Sequence, residues 1–371
     1  MMTTLLTVPY VDLARQHASI KEELLAAVAR VIDRGDFILG EETAEFERRF
    51  AKLCGTAHAI GVNSGADALL LCLRALNIGQ GDEVITAPSS FVASASCIAL
   101  AGARPVFVDV DESFNLDPRK VEAAITSRTK AILPVHLTGR PAEMELLAEI
   151  ADRRHLFVIE DAAQSILAER AHRRVGAWGT VGCFSLHPLK TLNACGDGGV
   201  ITTNDPALAE RLRVLRNLGL RTRDECIEWS GNSRLDTIQA AMLLVKLEHL
   251  EDWTKRRREN AAVYFERLAG LPGLTLPLDR PNEFQVHHTF VIQTDRRDEL
   301  KAFLASRGIG TSIHYPVPIH LQPAAKSLGY KRGDFPVAER QADRILSLPV
   351  HQDVDKHALE YVCETVTEFF R

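Results

Sequence analysis

The sequence predicts an α/β protein: a three-layer, mostly parallel central sheet in a large domain, with a smaller α+β domain at the C-terminus. Short β-like runs alternate with helical stretches from residue 57 to residue 168, the pattern of βαβ units. The runs AILPVHL (131–137) and LFVIED (156–161) are apolar along most of their length, as strands covered on both faces should be. At 371 residues the chain exceeds one small core, so two unequal domains are expected. We place the large domain at 13–245 and the small one at 246–371, with residues 1–12 packing near the latter.

Each element follows from local pattern. Residues 17–33 carry Leu24, Leu25, Val28 and Val31 on one helical stripe, and 41–54 carry Phe46 and Phe50 on another. Gly35 and Gly40 break the chain between them. The strand–helix pairs are 57–62 with 65–77, 83–86 with 91–102, 106–110 with 118–126, 131–135 with 141–154, and 156–159 with 162–168. Two further β-like runs lie at 183–187 and 199–203. A long helical pattern over 235–268 leads away from this domain. Beyond it come a β-like run at 288–294 and helices near 297–307 and 355–370.

Composition excludes several classes. Hydrophobic residues at 46% and charged ones at 25% describe an ordinary globular chain, and the net charge of −5 argues against a nucleic-acid surface. The basic cluster 255–258 reads as a solvated helix face. The longest apolar stretch, 91–103, ends at Arg104, short of a bilayer, and the first residues lack the features of an export signal. Seven scattered cysteines without a C-x-x-C pair suit reduced thiols, so a cytoplasmic location is expected; Cys195 reads as packing. No G-x-G-x-x-G follows a strand, and Walker A, H-E-x-x-H and G-x-S-x-G are missing. His351, Asp353, Asp355 and His357 read as a helix start, so no metal is expected.

Two segments carry the chemistry. FSLHPLKTLNACGDGGVITTND, residues 184–205, holds Lys190 in a loop rich in Pro, Asn, Gly and Asp, with apolar Leu189 and Leu192 nearby and no like charge. IEDAAQ, residues 159–164, puts Asp161 at the C-terminal edge of a parallel strand, where open α/β sheets bind ligands. A partly desolvated lysine can be neutral enough to form a Schiff base. A carboxylate facing a pyridine nitrogen completes the usual arrangement for pyridoxal 5′-phosphate (PLP). Singly, each residue has a plainer reading: Lys190 as a solvated loop lysine, Asp161 as the N-cap of a helix over 162–168. An anion cradle is offered by Asn63-Ser64-Gly65-Ala66-Asp67 before the helical pattern ALLLCLRAL. Gly in the first turn lets backbone N–H groups approach a phosphate, though Ser64 as a simple N-cap is the alternative.

The surrounding motifs are Glu160-Asp161-Ala162-Ala163-Gln164, Phe184-Ser185-Leu186-His187-Pro188-Leu189-Lys190 and Gly196-Asp197-Gly198-Gly199. They resemble E-D-x-A-[QH], F-S-[FL]-x-P-x-K-x-[LI] and G-D-G-G of the DegT/StrS family, sugar aminotransferases of the aspartate-aminotransferase fold (PLP fold type I). The resemblance runs over essentially the whole chain. It implies that Lys190 holds PLP as an internal aldimine and that Asp161 keeps the pyridine nitrogen protonated. Ser64, Gly65, Ala66 and Ser185 would take the phosphate, and Gln164 the ring's 3-hydroxyl. Phe91, in SFVAS (90–94), would stack on the ring, its alternative being a core residue. Asn232, in GNSRLDTIQAA (231–241), would reach the phosphate in a neighbouring subunit, making a homodimer with shared sites. Asn232-Ser233 capping the long helix is the other reading.

The reaction implied is ping-pong transfer of an amino group from L-glutamate, leaving 2-oxoglutarate and pyridoxamine 5′-phosphate, to a nucleotide-linked keto-deoxyhexose. The stretch from His314 to His320, H-Y-P-x-P-[IL]-H, resembles enzymes that aminate C3 of a dTDP- or UDP-sugar. His314, Tyr315 and His320 are candidate sugar or diphosphate contacts, against a Pro-rich loop docking the small domain; Arg140 and Arg221 are weaker candidates. Relatives with histidine for the lysine are dehydratases, so Lys190 argues for transamination, while Thr191 departs from the Asn of many relatives. Two rivals remain. Another fold-type I enzyme would need an arginine for an α-carboxylate, with Arg307 as candidate. A non-enzymatic regulator would need a DNA- or partner-binding appendage, and no such text is present.

Overall fold

Successive side chains of a strand face opposite ways, and in this protein both ways lead into buried apolar layers. The computed structural model describes residues 6–278 and 280–371. In chain order the strands are β1 (His58–Val62), β2 (Glu83–Thr86), β3 (Arg104–Phe107), β4 (Thr129–Leu133), β5 (Phe157–Asp161), the short pair β6 (Glu169–Arg170) and β7 (Arg173–Arg174), β8 (Val181–Ser185) and β9 (Gly199–Thr203). All but β6 and β7 form one seven-stranded sheet of order β1-β9-β8-β5-β4-β2-β3. Only β9 opposes its neighbours, running antiparallel to β8 and β1; the other pairs are parallel.

One face of this sheet presents Ile60, Leu133, Ile159, Cys183 and Ile201 to helices Gly65–Ala75, Ala93–Leu100 and Pro206–Arg216. The alternate residues Ala59, Phe184 and Val200 meet Phe46 and Phe50 of helix Glu41–Cys54 and Leu243 of helix Thr237–Leu268. Ile132 and Val158 meet Leu147 of helix Met144–Arg154 on that same second face. Three layers result, as the sequence predicts.

The helix expected over 162–168 is absent. Ala162 donates its N–H to the Cys183 carbonyl at 2.8 Å, Ala163 to Asp161 Oδ1 at 3.2 Å, and the Ser165 hydroxyl to the His136 carbonyl at 2.6 Å. These side-chain and cross-strand bonds replace a first helical turn. Asp161 is therefore not a helix N-cap. The single helix expected over 17–33 is two, Leu13–Ala18 and Lys21–Arg34, parted where the Ser19 hydroxyl turns back to the Gln16 carbonyl. The stretch over 118–126 shortens to Pro118–Val121 and a 3₁₀ turn, Glu122–Ala124.

Beyond β9, a small hairpin joins β10 (Leu220–Thr222) to β11 (Glu225–Cys226), and β12 (Glu283–Phe284) pairs with β6. Strands β13 (Phe290–Gln293) and β14 (Ile345–Leu348) pair antiparallel. Their core includes Phe290, Leu300, Leu346 and Val362, and Val8 joins it. Val8 also bridges Ile309 in parallel; residues 1–5 lie outside the described residues. Helix Thr237–Leu268 runs unbroken through position 245.

Two glycines set how closely helix Gly65–Ala75 approaches the hairpin of β8 and β9. A Cβ on Gly199 would lie 2.3 Å from the Ser64 carbonyl oxygen, and one on Gly65 would lie 2.6 Å from Ser185 Cβ. Backbone cannot yield as a flexible side chain does. Gly199→Ala is expected to cost about 1–3 kcal/mol, read as a lower denaturant midpoint; an unchanged midpoint would show that the helix is free to shift.

Candidate active site

The end of β5 places two adjacent carboxylates on opposite faces. Glu160 is 0% exposed and accepts N–H bonds from Gly176, Trp178 and Gly179 at 2.7–2.8 Å. His136 Nδ1 accepts from the Ala142 N–H at 3.0 Å, so the ring proton sits on Nε2, which donates to Glu160 at 3.0 Å. Asp161 faces the other way. Its Oδ2 accepts from the Ser94 hydroxyl at 2.7 Å, and Ser94 is in turn bonded to Ser90 at 2.8 Å.

Lys190 sits in the loop between β8 and β9, its carbonyl accepting from Asn193 Nδ2 at 2.9 Å. Burial pushes its amine down to about 8, while the Asp161 carboxylate pulls the other way. The two residues are thus in electrostatic contact.

Ser64 does cap the helix Gly65–Ala75, accepting from the Asp67 N–H at 3.0 Å. The first-turn N–H groups of Gly65 and Ala66 take no partner from the helix itself, and Ser185 lies against Gly65. Phe91 is 55% exposed, with its ring 5.9 Å from that of Tyr315, so it is not a core residue. Gln164 donates to the Tyr315 hydroxyl at 3.3 Å and accepts from the Thr138 N–H at 2.8 Å. Tyr315 is pushed up to about 12 by burial, with the Asp161 charge adding to it. An anion cradle, exposed aromatic surface, a lone carboxylate and a depressed amine fit the phosphate, ring, ring nitrogen and aldehyde of PLP.

The sugar-side candidates divide. His314 lies between Ser347 Oγ at 3.0 Å and Ser312 Oγ at 3.4 Å, and burial, then the Lys190 charge, push it down to about 4. His320 is 2% exposed, bonded to Glu339 Oε1 at 2.9 Å and packed edge-on against Phe335. That is the position of a structural residue, not of a cleft contact. Asn232 is exposed and bridges Asn217. It does not cap the long helix, which begins at Thr237 with Asp236 in the N-cap position. Arg140 is buried on Glu283, Arg221 pairs with Glu225, and Arg307 pairs with Glu368.

Sequence reasoning missed several neighbours. Ser94 lies one helical turn beyond Phe91, a spacing that could have found it. His288 is held well below its usual range by burial and then by the Lys190 charge, and Tyr10 packs its ring 5.7 Å from that of His314. No local pattern marks either; tertiary folding alone brings them there.

Reductive methylation of Lys190 is expected to rise with a midpoint near pH 8, because the neutral amine reacts and predominates above it. In Asp161→Asn the midpoint moves lower, since the carboxylate that favours the charged amine is gone. Peptide mass spectrometry across a pH series reads both, and an unmoved midpoint would deny the contact.

Over residues 18–367 the chain matches the DegT/DnrJ/EryC1/StrS aminotransferase family. It is 47% identical to dTDP-3-amino-3,4,6-trideoxy-alpha-D-glucose transaminase of Streptomyces venezuelae, covering 98% of this chain and 96% of the relative. A protein of Geobacillus stearothermophilus named pleiotropic regulatory protein is 45% identical across 99% of both chains. The crystal structure of S. venezuelae DesV in complex with a ketimine intermediate matches with a TM-score of 0.96 at 47% identity, covering 98% of this chain and 99% of that one. With sequence and architecture agreeing from end to end, the chain belongs to the DegT/DnrJ/EryC1/StrS aminotransferase family.

Proposed function

We propose that this protein is a PLP-dependent aminotransferase. In this reading it moves an amino group from L-glutamate to a nucleotide-linked keto-deoxyhexose, at C3 of a dTDP- or UDP-sugar, by ping-pong kinetics. One arrangement carries it: a partly buried loop lysine that feels the charge of the Asp161 carboxylate, which two donors fix at the end of β5. The family supports the reaction class, and the S. venezuelae relative, whose name puts the amino group at position 3, supports the regiochemistry.

Bound PLP supplies an electron sink that acidifies the donor's α-proton. The Lys190 amine takes that proton and returns it, serving as base and acid in turn. Asp161, oriented by Ser94 and the Ala163 N–H, holds positive charge on the ring nitrogen. Gln164 orients the 3-hydroxyl, and Phe91 covers one ring face. Ser64, Gly65, Ala66 and Ser185 bind the phosphate, joined by Asn232 from a second copy of the chain. An apolar surface beside Asn232, with Trp229 at 89% and Ile227 at 52% exposed, supports burial against such a copy. Neutral His314 and Tyr315 serve as sugar contacts, and His320 braces the loop that carries them. Residues 13–245 form the cofactor-binding domain and 246–371 the smaller one.

A regulatory role is the second reading, favoured by the name of the 45% identical relative. Incubation with PLP, L-glutamate and a dTDP-3-keto-deoxyhexose, followed by assay for 2-oxoglutarate, distinguishes them. Turnover is expected, and Lys190→Ala should lower it by at least about 10³-fold while the protein stays folded. Undiminished turnover in that variant would remove Lys190 from the chemistry. No 2-oxoglutarate across a panel of keto-sugars would favour the regulator.

A further inference from the structure

The loop that carries Lys190 is held by one helix at two points. Gln239 and Lys246, both on helix Thr237–Leu268, stand seven residues apart, close to two turns, and so share a face. Gln239 clasps the backbone of Cys195, accepting its N–H at 2.9 Å and donating to its carbonyl at 3.2 Å. Leu243 between them packs in one apolar cluster with Leu192 and Ala194. Lys246 is 0% exposed, and its Nζ lies 2.6 Å from Asn193 Oδ1, 2.9 Å from the Asn193 carbonyl, 2.8 Å from His17 Nε2 and 3.6 Å from Cys195 Sγ. None of these partners is a carboxylate, and burial opposes charge on the amine. An ion pair is therefore not what this position supplies.

Asn193, also 0% exposed, joins that amine to Lys190. Its Nδ2 donates to the Lys190 carbonyl at 2.9 Å. A carbonyl oxygen only accepts, so the amide must turn its NH2 to Lys190 and leave its own oxygen for a donor. Lys246 is that donor, and its second bond holds the Asn193 backbone as well. Were the amine absent, the amide could turn its oxygen toward the Lys190 carbonyl, where two acceptors repel each other.

We infer that Asn193 and Lys246 are positioning residues for Lys190: Lys246 selects the orientation of the Asn193 amide, and that amide fixes the backbone from which the reactive amine extends. The inference rests on the reading of Lys190 as the lysine that forms the Schiff base with PLP. Both residues act through the Lys190 main chain rather than at the reacting atoms. Their effect is on reach, because a displacement of about 1 Å can cost about 10²-fold in rate.

Asn193→Asp separates positioning from plain bracing. It keeps an oxygen for Lys246, so the fold is retained, but it puts an acceptor where the Lys190 carbonyl needs a donor. In the PLP-reconstituted protein, the single-turnover rate with L-glutamate is expected to fall about tenfold. Half-saturating glutamate should stay within about twofold, and the thermal midpoint should not drop. A wild-type rate in Asn193→Asp overturns the inference. Asn193→Ala and Lys246→Met should each slow that step, and the double variant no further, because they break one chain; additive losses overturn the role of Lys246. Should Lys246→Met not fold, the Asn193 variants still decide the outcome. Reductive methylation of Lys190 in the cofactor-free protein is a readout independent of the donor. Its midpoint, near pH 8 in the wild type, should move up in Asn193→Ala, because a loosened loop returns solvent to the amine. An unmoved midpoint overturns the inference whatever the donor, whereas a moved midpoint without glutamate turnover faults only the aminotransferase reading.

Discussion

A carboxylate without solvent holds this site together. Glu160 has three backbone N–H donors and one imidazole donor, and no water could replace them at 0% exposure. Removing one partner would strand polar groups in an apolar layer, which costs about 1–3 kcal/mol per group. The knot therefore fixes both the end of β5 and the loop around Trp178. Because side chains alternate, an immobile Glu160 obliges Asp161 to face the cleft.

The imidazoles beside Lys190 add no charge to that cleft. Burial, and then the Lys190 charge, pushes His314 down to about 4 and holds His288 well below its usual range, so these imidazoles are uncharged at neutral pH. Solvation is poor there, and interactions between the charges that remain are strong. Around Lys190, an amine that burial makes less basic faces the Asp161 carboxylate, and the Arg257 guanidinium acts on His288 beside it. A field so arranged needs little reorganisation when a proton moves.

Much of this was legible in residues. Apolar runs gave the parallel strands, and motif text singled out Lys190 and Asp161, whose charges do act on each other. What failed failed for physical reasons. The text after Asp161 looked helical, yet Ser165 and Gln164 give their polar groups to residues 136 and 138, far off in sequence. His320 sits in a motif beside Tyr315 but turns inward to Glu339, a partner no spacing rule reveals. Helix Pro206–Arg216 begins with an Asp205 cap and a proline, signals present in the text but not used.

The antiparallel return of β9 makes the Lys190 segment a hairpin loop, locked to helix Gly65–Ala75 at Gly199 and Gly65. One wall of the cleft is thereby invariant in shape, since displacing any part of it moves all of it. The opposite wall, from Ser312 through Tyr315 and out to Tyr10, is held by side-chain bonds and ring contacts. Substitutions there meet less resistance than at Gly199 or Gly65, where a Cβ would run into backbone or Ser185. A change confined to that wall leaves the Lys190 hairpin and its contacts with helix Gly65–Ala75 untouched.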